Sequence, residues 1–364
     1  MAPAETFFAQ TYAEARAKFL AACEANKLYV HSHAHPLRGR DGEELAMDVA
    51  LLGAEKAERL LVVSSGCHGV EGYCGSGVQN ALLADGGFKA AAAKAGVAVL
   101  FIHALNPYGF SWWRRVTHEN VDLNRNFHDF HAPWAADAAN PGYGDVAHLL
   151  VPATWPPTAD NEAAVAAYIA SHGMKAWQQA VSAGQHTHPE GLFFGGHTPT
   201  WSHQTLRHVL QDHAQHCKRL GWIDVHTGLG PNGHGERIYL GPDEAASIAR
   251  ARRWWGPEVT SIYDGSSTSA KLSGLLFTSA VWDCPQAEYT GMALEYGTLP
   301  LMDVMQNLRA EQWLENHPET PPAQSAQIKK AFRDAFYTDT PQWKQQILDQ
   351  AFQASHQALA GLAT

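Results

Sequence analysis

Three short runs constrain this chain more than anything else in it. ERLLVVSSG (58–66), VAVLFIHAL (97–105) and GWIDVHTG (221–228) are almost unbroken apolar stretches, and the first and last end in polar residues. Apolar runs of this length without alternation suit strands buried on both faces, as in parallel sheets covered by helices. Gly75 to Leu83 reads as the start of a helix, so the first two runs and this segment form a βαβ unit. The polar strand ends matter because ligands of open α/β sheets sit at the carboxyl ends of strands. LYVHSHAHPL (28–37) and ELAMDVALLG (44–53), separated by RGRDGE, read as further strands, as do RIYLG (237–241) and GMALEYGT (291–298).

Helical spacing covers 9–26, 161–182 and 202–220, and from 301 onward helical segments are broken at Pro318, Pro321–Pro322 and Pro341. Residues 128–160, rich in Pro, Gly, Ala and aromatics, read as a long surface excursion. With no repeat and no shift of composition, the expectation is α/β: a mixed, mainly parallel sheet flanked by helices. A single domain over 1–364 with a helical C-terminal layer is expected.

Composition excludes several classes. A net charge of −10 with no Lys/Arg run leaves no positive footprint for nucleic acid or an anionic membrane. Five cysteines without a C-x-x-C pair argue against a disulfide framework. Glu5, Glu14 and Arg16 interrupt any signal-peptide core, and no apolar stretch approaches 18 residues. A cytoplasmic location is expected. The 21 histidines suit metal chemistry but also multiply every His-based motif by chance.

Four features can carry chemistry. His68 and Glu71, three apart beyond a strand end and flanked by glycines, can reach one ion; alone the pair is weak evidence. His226, at the end of GWIDVHTG, could complete a His, Glu, His set that leaves a fourth zinc position open, with Asp224 as hydrogen-bond partner of its ring. Arg114 and Arg115, followed by Asn124, Arg125 and Asn126, offer donors for a carboxylate or a developing oxyanion, against the plainer reading of a solvated loop paired with Glu119 and Asp122. Glu295 is a lone carboxylate in an apolar strand, and a Glu beside a metal-activated water is a general base.

Together these residues resemble the zinc carboxypeptidase (carboxypeptidase A-like) family. The chain looks especially like that family's bacterial metallopeptidase branch, related to the aspartoacylase and succinylglutamate desuccinylase group. His68 and Glu71 match its H-x-x-E pair, Asn106 to Gly109 its N-P-x-G turn, and VDLNRNF (121–127) its V-D-x-N-R-N-F signature. His226 matches the third ligand and Glu295 the catalytic glutamate, all in the family's order over about residues 58–300. The resemblance implies one Zn2+ per chain on His68, Glu71 and His226. Asn124 and Arg125 would grip a terminal carboxylate, and Arg115 would polarise the scissile carbonyl, with Arg114, in a W-R-x pattern, as the competing choice. It implies a metal-dependent peptidase acting on a small peptide or acyl-amino-acid substrate, with neither nucleic acid nor membrane as partner and the oligomeric state open. The place of the family's mobile tyrosine is taken by Lys271 to Gly274; Tyr263 and Tyr289 lie nearby without matching. A deacylase of N-acyl amino acids on the same fold is the alternative. An amidohydrolase barrel built on His31, His33 and His35, or a zinc-binding non-enzyme, fits less well. His186 and His188 read as a pocket loop or plain surface.

Overall fold

The computed structural model describes residues 2–132 and 140–364. Its seven strands are β1 (Val30–Arg38), β2 (Glu44–Leu52), β3 (Arg59–Ser65), β4 (Ala98–His103), β5 (Arg219–Asn232), β6 (Gly235–Tyr239) and β7 (Glu288–Gly297). They form one sheet in the order β1-β2-β4-β3-β5-β7-β6. The central four, β4-β3-β5-β7, are mutually parallel, while β1, β2 and β6 join antiparallel at the edges. The sheet is thus mixed and mainly parallel at its core, flanked by helices.

Side-chain alternation explains why the central runs carry no polar face. Leu61 and Val63 point into one apolar cluster, with the helices Tyr12–Ala25, Gly72–Ala84 and Pro341–Ala363, whereas Leu60 and Val62 point into another, with Trp201–Ala214. A third cluster, including Trp177, Val304, Leu308 and Phe336, joins the C-terminal helices to the segment 141–193.

Several expectations are revised. The helical stretch 161–182 is two helices, Ala159–His172 and Met174–Ser182, broken at Gly173 with φ +86°. The helix over 202–220 ends at Ala214, because Arg219 already belongs to β5. Within 128–160, residues 133–139 lie outside the described residues. Pro141–Leu150, far from being a surface excursion, is a helix with Tyr143, Val146, Leu149 and Leu150 buried, because its apolar residues recur on one face. No described helix is long and apolar enough to cross a membrane.

Candidate metal centre and its pocket

Beyond β3, a 3₁₀ turn at Gly69–Glu71 brings His68 and Glu71 face to face, with Nδ1 and Oε1 2.9 Å apart. The turn is fixed from below: the N–H groups of Gly69 and Val70 donate to the carbonyls of Arg115 and Arg114 at 3.0 and 2.9 Å. The N-P-x-G segment supplies that support. Asn106 Oδ1 accepts from Gly109 N–H while its Nδ2 donates to the Arg115 carbonyl.

His226 arrives from β5, paired in register with Glu295 on β7. Its Nδ1 lies 3.2 Å from His68 Nδ1 and 3.0 Å from Glu71 Oε2. Behind each ring stands a carboxylate: Asp122 Oδ1 is 3.3 Å from His68 Nε2, and Asp224 Oδ2 is 2.5 Å from His226 Nε2. Asp224 is held in turn by Ser64 Oγ at 2.5 Å, and Ser64 by the Trp222 indole N–H at 2.8 Å. A carboxylate behind an imidazole accepts a hydrogen bond from Nε2–H and so turns the Nδ1 lone pair forward, as it does for metal-binding histidines.

In that tautomer two Nδ1 lone pairs and a carboxylate converge on one point. A tetrahedral zinc with bonds of about 2.0–2.1 Å places its ligands roughly 3.3 Å apart. The two Nδ1 atoms are 3.2 Å apart, and Glu71 meets His68 through Oε1 at 2.9 Å and His226 through Oε2 at 3.0 Å, close to that spacing. Burial by itself would raise the Glu71 carboxyl, but His68 and His226 hold it well below the usual carboxylate range. Burial would lower His226, yet Asp224 and Glu71 raise it far above the ordinary value, a measure of the negative charge presented to a cation. A second grouping, Cys67 with Asp224 and His226, shares one ligand. There Asp224 is already accepting two hydrogen bonds, and burial keeps the Cys67 thiol protonated.

The remaining predicted residues divide. Arg115 lines the pocket and donates to Glu71 Oε1 at 3.2 Å and Asp122 Oδ2 at 3.0 Å. Asn124 also lines it. Its Oδ1 accepts from Leu276 N–H at 3.1 Å, leaving the donor Nδ2 for a ligand. Arg125 lines the pocket beside it, capped by the carbonyls of Asn124 and Ser182 at 3.0 and 2.6 Å, with Nε unpartnered. Burial, with Asp122 no nearer than 3.9 Å, pulls this guanidinium down to about 10. Two glycines crowd it: a Cβ on Gly184 (φ +103°) would lie 2.5 Å from Arg125 Cδ, and one on Gly274 (φ +70°) 2.6 Å from its carbonyl oxygen. Glu295, 8% exposed, lines the pocket with Oε1 accepting from Leu229 N–H at 3.0 Å, and burial plus the Glu71 charge pushes it up to about 8.

Arg114 does not join the pocket. Its guanidinium meets Glu311 at 3.0 Å, Asn120 at 2.9 Å and Glu315 at 3.4 Å, because the C-terminal helix Leu301–Asn316 supplies the carboxylates that adjacent Arg115 finds in the centre. His186 and His188 do not line the pocket either, and Tyr263 donates to Gly241 O. The tyrosine that lines it, Tyr239, has its hydroxyl on Pro242 O. Asp122 was legible in VDLNRNF only as a loop charge. It is fully buried, and Arg115, Arg125 and His68 outweigh the effect of burial to hold it well below the carboxylate range.

In solved structures, the chain is similar to carboxypeptidase A from Helicoverpa armigera: 11% identity, TM-score 0.46, covering 91% of this chain and 75% of that one. Bovine thrombin-activatable fibrinolysis inhibitor, in complex with tick carboxypeptidase inhibitor, gives 13%, 0.46, 89% and 96%. A metallo-carboxypeptidase from Burkholderia cenocepacia gives 13%, 0.37, 89% and 67%. No curated protein matches the chain. The family model described as Protein of unknown function (DUF2817) matches residues 8–350, and the chain belongs to that family.

Proposed function

We propose that this protein is a metal-dependent hydrolase that cuts an amide bond next to a free carboxylate, with one zinc on His68, Glu71 and His226. The observation that carries the reading is the meeting of two imidazole lone pairs and a carboxylate at one buried point, each ring backed by its own aspartate. Zinc in such a site supplies Lewis acidity, lowering the pKa of water and polarising a carbonyl.

The chain's own groups do the rest. Arg125 and the Asn124 Nδ2 take the substrate carboxylate, a charge-assisted contact strengthened by burial. Arg115 donates to the scissile carbonyl oxygen as negative charge grows there. Glu295 takes a proton from the attacking water and passes it to the leaving nitrogen. The C–N bond breaks, a C–O bond forms, and the products are a carboxylate and an amine. An acid near 8, drawn toward neutrality by an adjacent cation, is placed to accept and then release that proton.

The test is a panel of dipeptides and N-acyl amino acids, with free or amidated carboxyl groups, assayed with and without chelator alongside elemental analysis. Hydrolysis that needs both the metal and the free carboxylate is expected. Chelator-insensitive turnover, or equal rates on amidated substrates, overturns the proposal.

A further inference from the structure

Among the described residues, six large apolar side chains stay exposed, and three of them, Met174 (44%), Leu301 (39%) and Met302 (40%), gather at the rim of this one pocket. Beneath them Trp177, Met305 and Leu308 continue the same surface inward from the helices Met174–Ser182 and Leu301–Asn316. This wall belongs to the apolar cluster that also contains Phe193, over whose ring both Arg115 and Arg125 lie, at 5.3 and 5.7 Å. A largely apolar lobe thus extends from the Arg115–Arg125 pair to the exposed rim.

What the lobe lacks selects its occupant. A peptide continuing beyond the cut bond brings an N–H and a C=O per residue, each needing a partner once buried. The donors of the polar side chains lining this side are tied to backbone carbonyls: Gln178 Nε2 to Thr268 O at 2.7 Å, Ser182 Oγ to Gln178 O at 2.7 Å and Ser269 Oγ to Ala270 O at 3.3 Å. The charged residues lining the pocket, Arg115, Arg125 and Glu295, sit at the centre. An alkyl or aryl chain needs no hydrogen-bond partner and loses nothing in this lobe.

We infer that the acyl side of the substrate is an extended apolar group: the protein hydrolyses N-acyl amino acids carrying medium- to long-chain or aromatic acyl groups, releasing the fatty or aryl acid and the free amino acid. This rests on the hydrolase reading above. Water supplies the oxygen of the new carboxylate and the protons of the amine, so no further reactant is needed.

The experiment compares N-acetyl-, N-hexanoyl- and N-lauroyl-leucine with leucyl-leucine on the metal-loaded protein. A rise in kcat/KM of tenfold or more from acetyl to hexanoyl is expected, since each buried methylene contributes roughly threefold to fourfold. The dipeptide should rank below the lauroyl substrate. Met302→Asp and Leu301→Asp, both at exposed positions, should cut the lauroyl-to-acetyl ratio by about tenfold, while Tyr29→Asp, at another exposed apolar residue, leaves the ratio alone. A flat response to chain length, a preference for the dipeptide, or an unchanged ratio in the rim variants overturns the inference while leaving the hydrolase reading intact. If nothing in the series is hydrolysed, that reading falls instead. Calorimetric binding of N-lauroyl- against N-acetyl-leucine then decides the lobe alone, equal affinities refuting it.

Discussion

Two clusters of charge, the inner one buried and the outer one reaching the surface at Glu315 and Lys329, stand back to back, joined through the adjacent residues Arg114 and Arg115. In the outer one, Arg114 and Lys329 face Glu311 and Glu315 at 2.6 to 3.4 Å, and two positive charges cancel two negative ones. In the inner one, Glu71 and Asp122 face Arg115, Arg125 lies 3.9 Å from Asp122, and Asp224 meets only Ser64 and the His226 ring, so with neutral imidazoles three carboxylates exceed two arginines by one charge. A balanced cluster is complete in itself; an unbalanced buried one whose imidazole lone pairs also converge is completed by a cation. The outer cluster is cross-linking, the inner one a site, and the two should respond differently to the same kind of damage.

The sharpest separation comes from the ligands. His68→Ala and His226→Ala should abolish bound zinc and reduce activity to background with the far-ultraviolet spectrum unchanged. Full zinc occupancy in either variant, by elemental analysis, would break the distinction. Glu311→Ala should do the reverse. It takes the buried carboxylate from Arg114, which keeps only Asn120 and the exposed Glu315, and costs about 3 kcal/mol of stability, read from urea denaturation, with zinc content untouched.

Glu295→Gln should keep zinc and lose on the order of a hundredfold in kcat, the scale of general acid–base catalysis. It also carries a pH signature in the metal-free protein. The folded carboxyl holds its proton up to about 8 against an ordinary 4.5. The folded state therefore binds the extra proton between those values, and the parent loses stability as pH rises through them. The glutamine variant escapes that loss. Its Tm advantage should be absent near pH 4.5 and largest above 8, and a gap independent of pH would show that the carboxyl titrates normally. The smallest effect is expected behind the ring. Asp224→Asn weakens the hold on His226 and should lower zinc affinity by about 10- to 100-fold, measured by chelator competition.

What could be read from the sequence follows from how local each cause is. The buried strands are legible at 58–66, 97–105 and 221–228 because burial on both faces removes polar alternation over consecutive residues. His68, Glu71, His226 and Glu295 are legible because strand ends place them; His68, His226 and Glu295 line one pocket, and Glu71 meets both imidazoles there. The choice between Arg114 and Arg115 is not local. It depends on Glu311, 197 residues downstream, and on Asp122, whose burial is set by segments around it. The apolar lobe was invisible for the same reason: Met174 and Met302 are 128 positions apart in the chain and look like ordinary residues of two helices. The break at Gly173 did have a local signal, a glycine amid good helix formers, overridden in the reading by the periodicity on either side.

The tight backbone around Arg125 sets a gauge. Gly184 packs on the Arg125 side chain and Gly274 on its backbone, two carbonyls hold the guanidinium, and the metal ligands across the pocket are placed by β3 and β5. In the function proposed, the span from the reacting carbonyl to the carboxylate is thus a property of the protein that the substrate must match. An α-amino acid and its β-homologue differ in that span by a single methylene, and the protein would tell them apart by reach, whatever side chain either one carries.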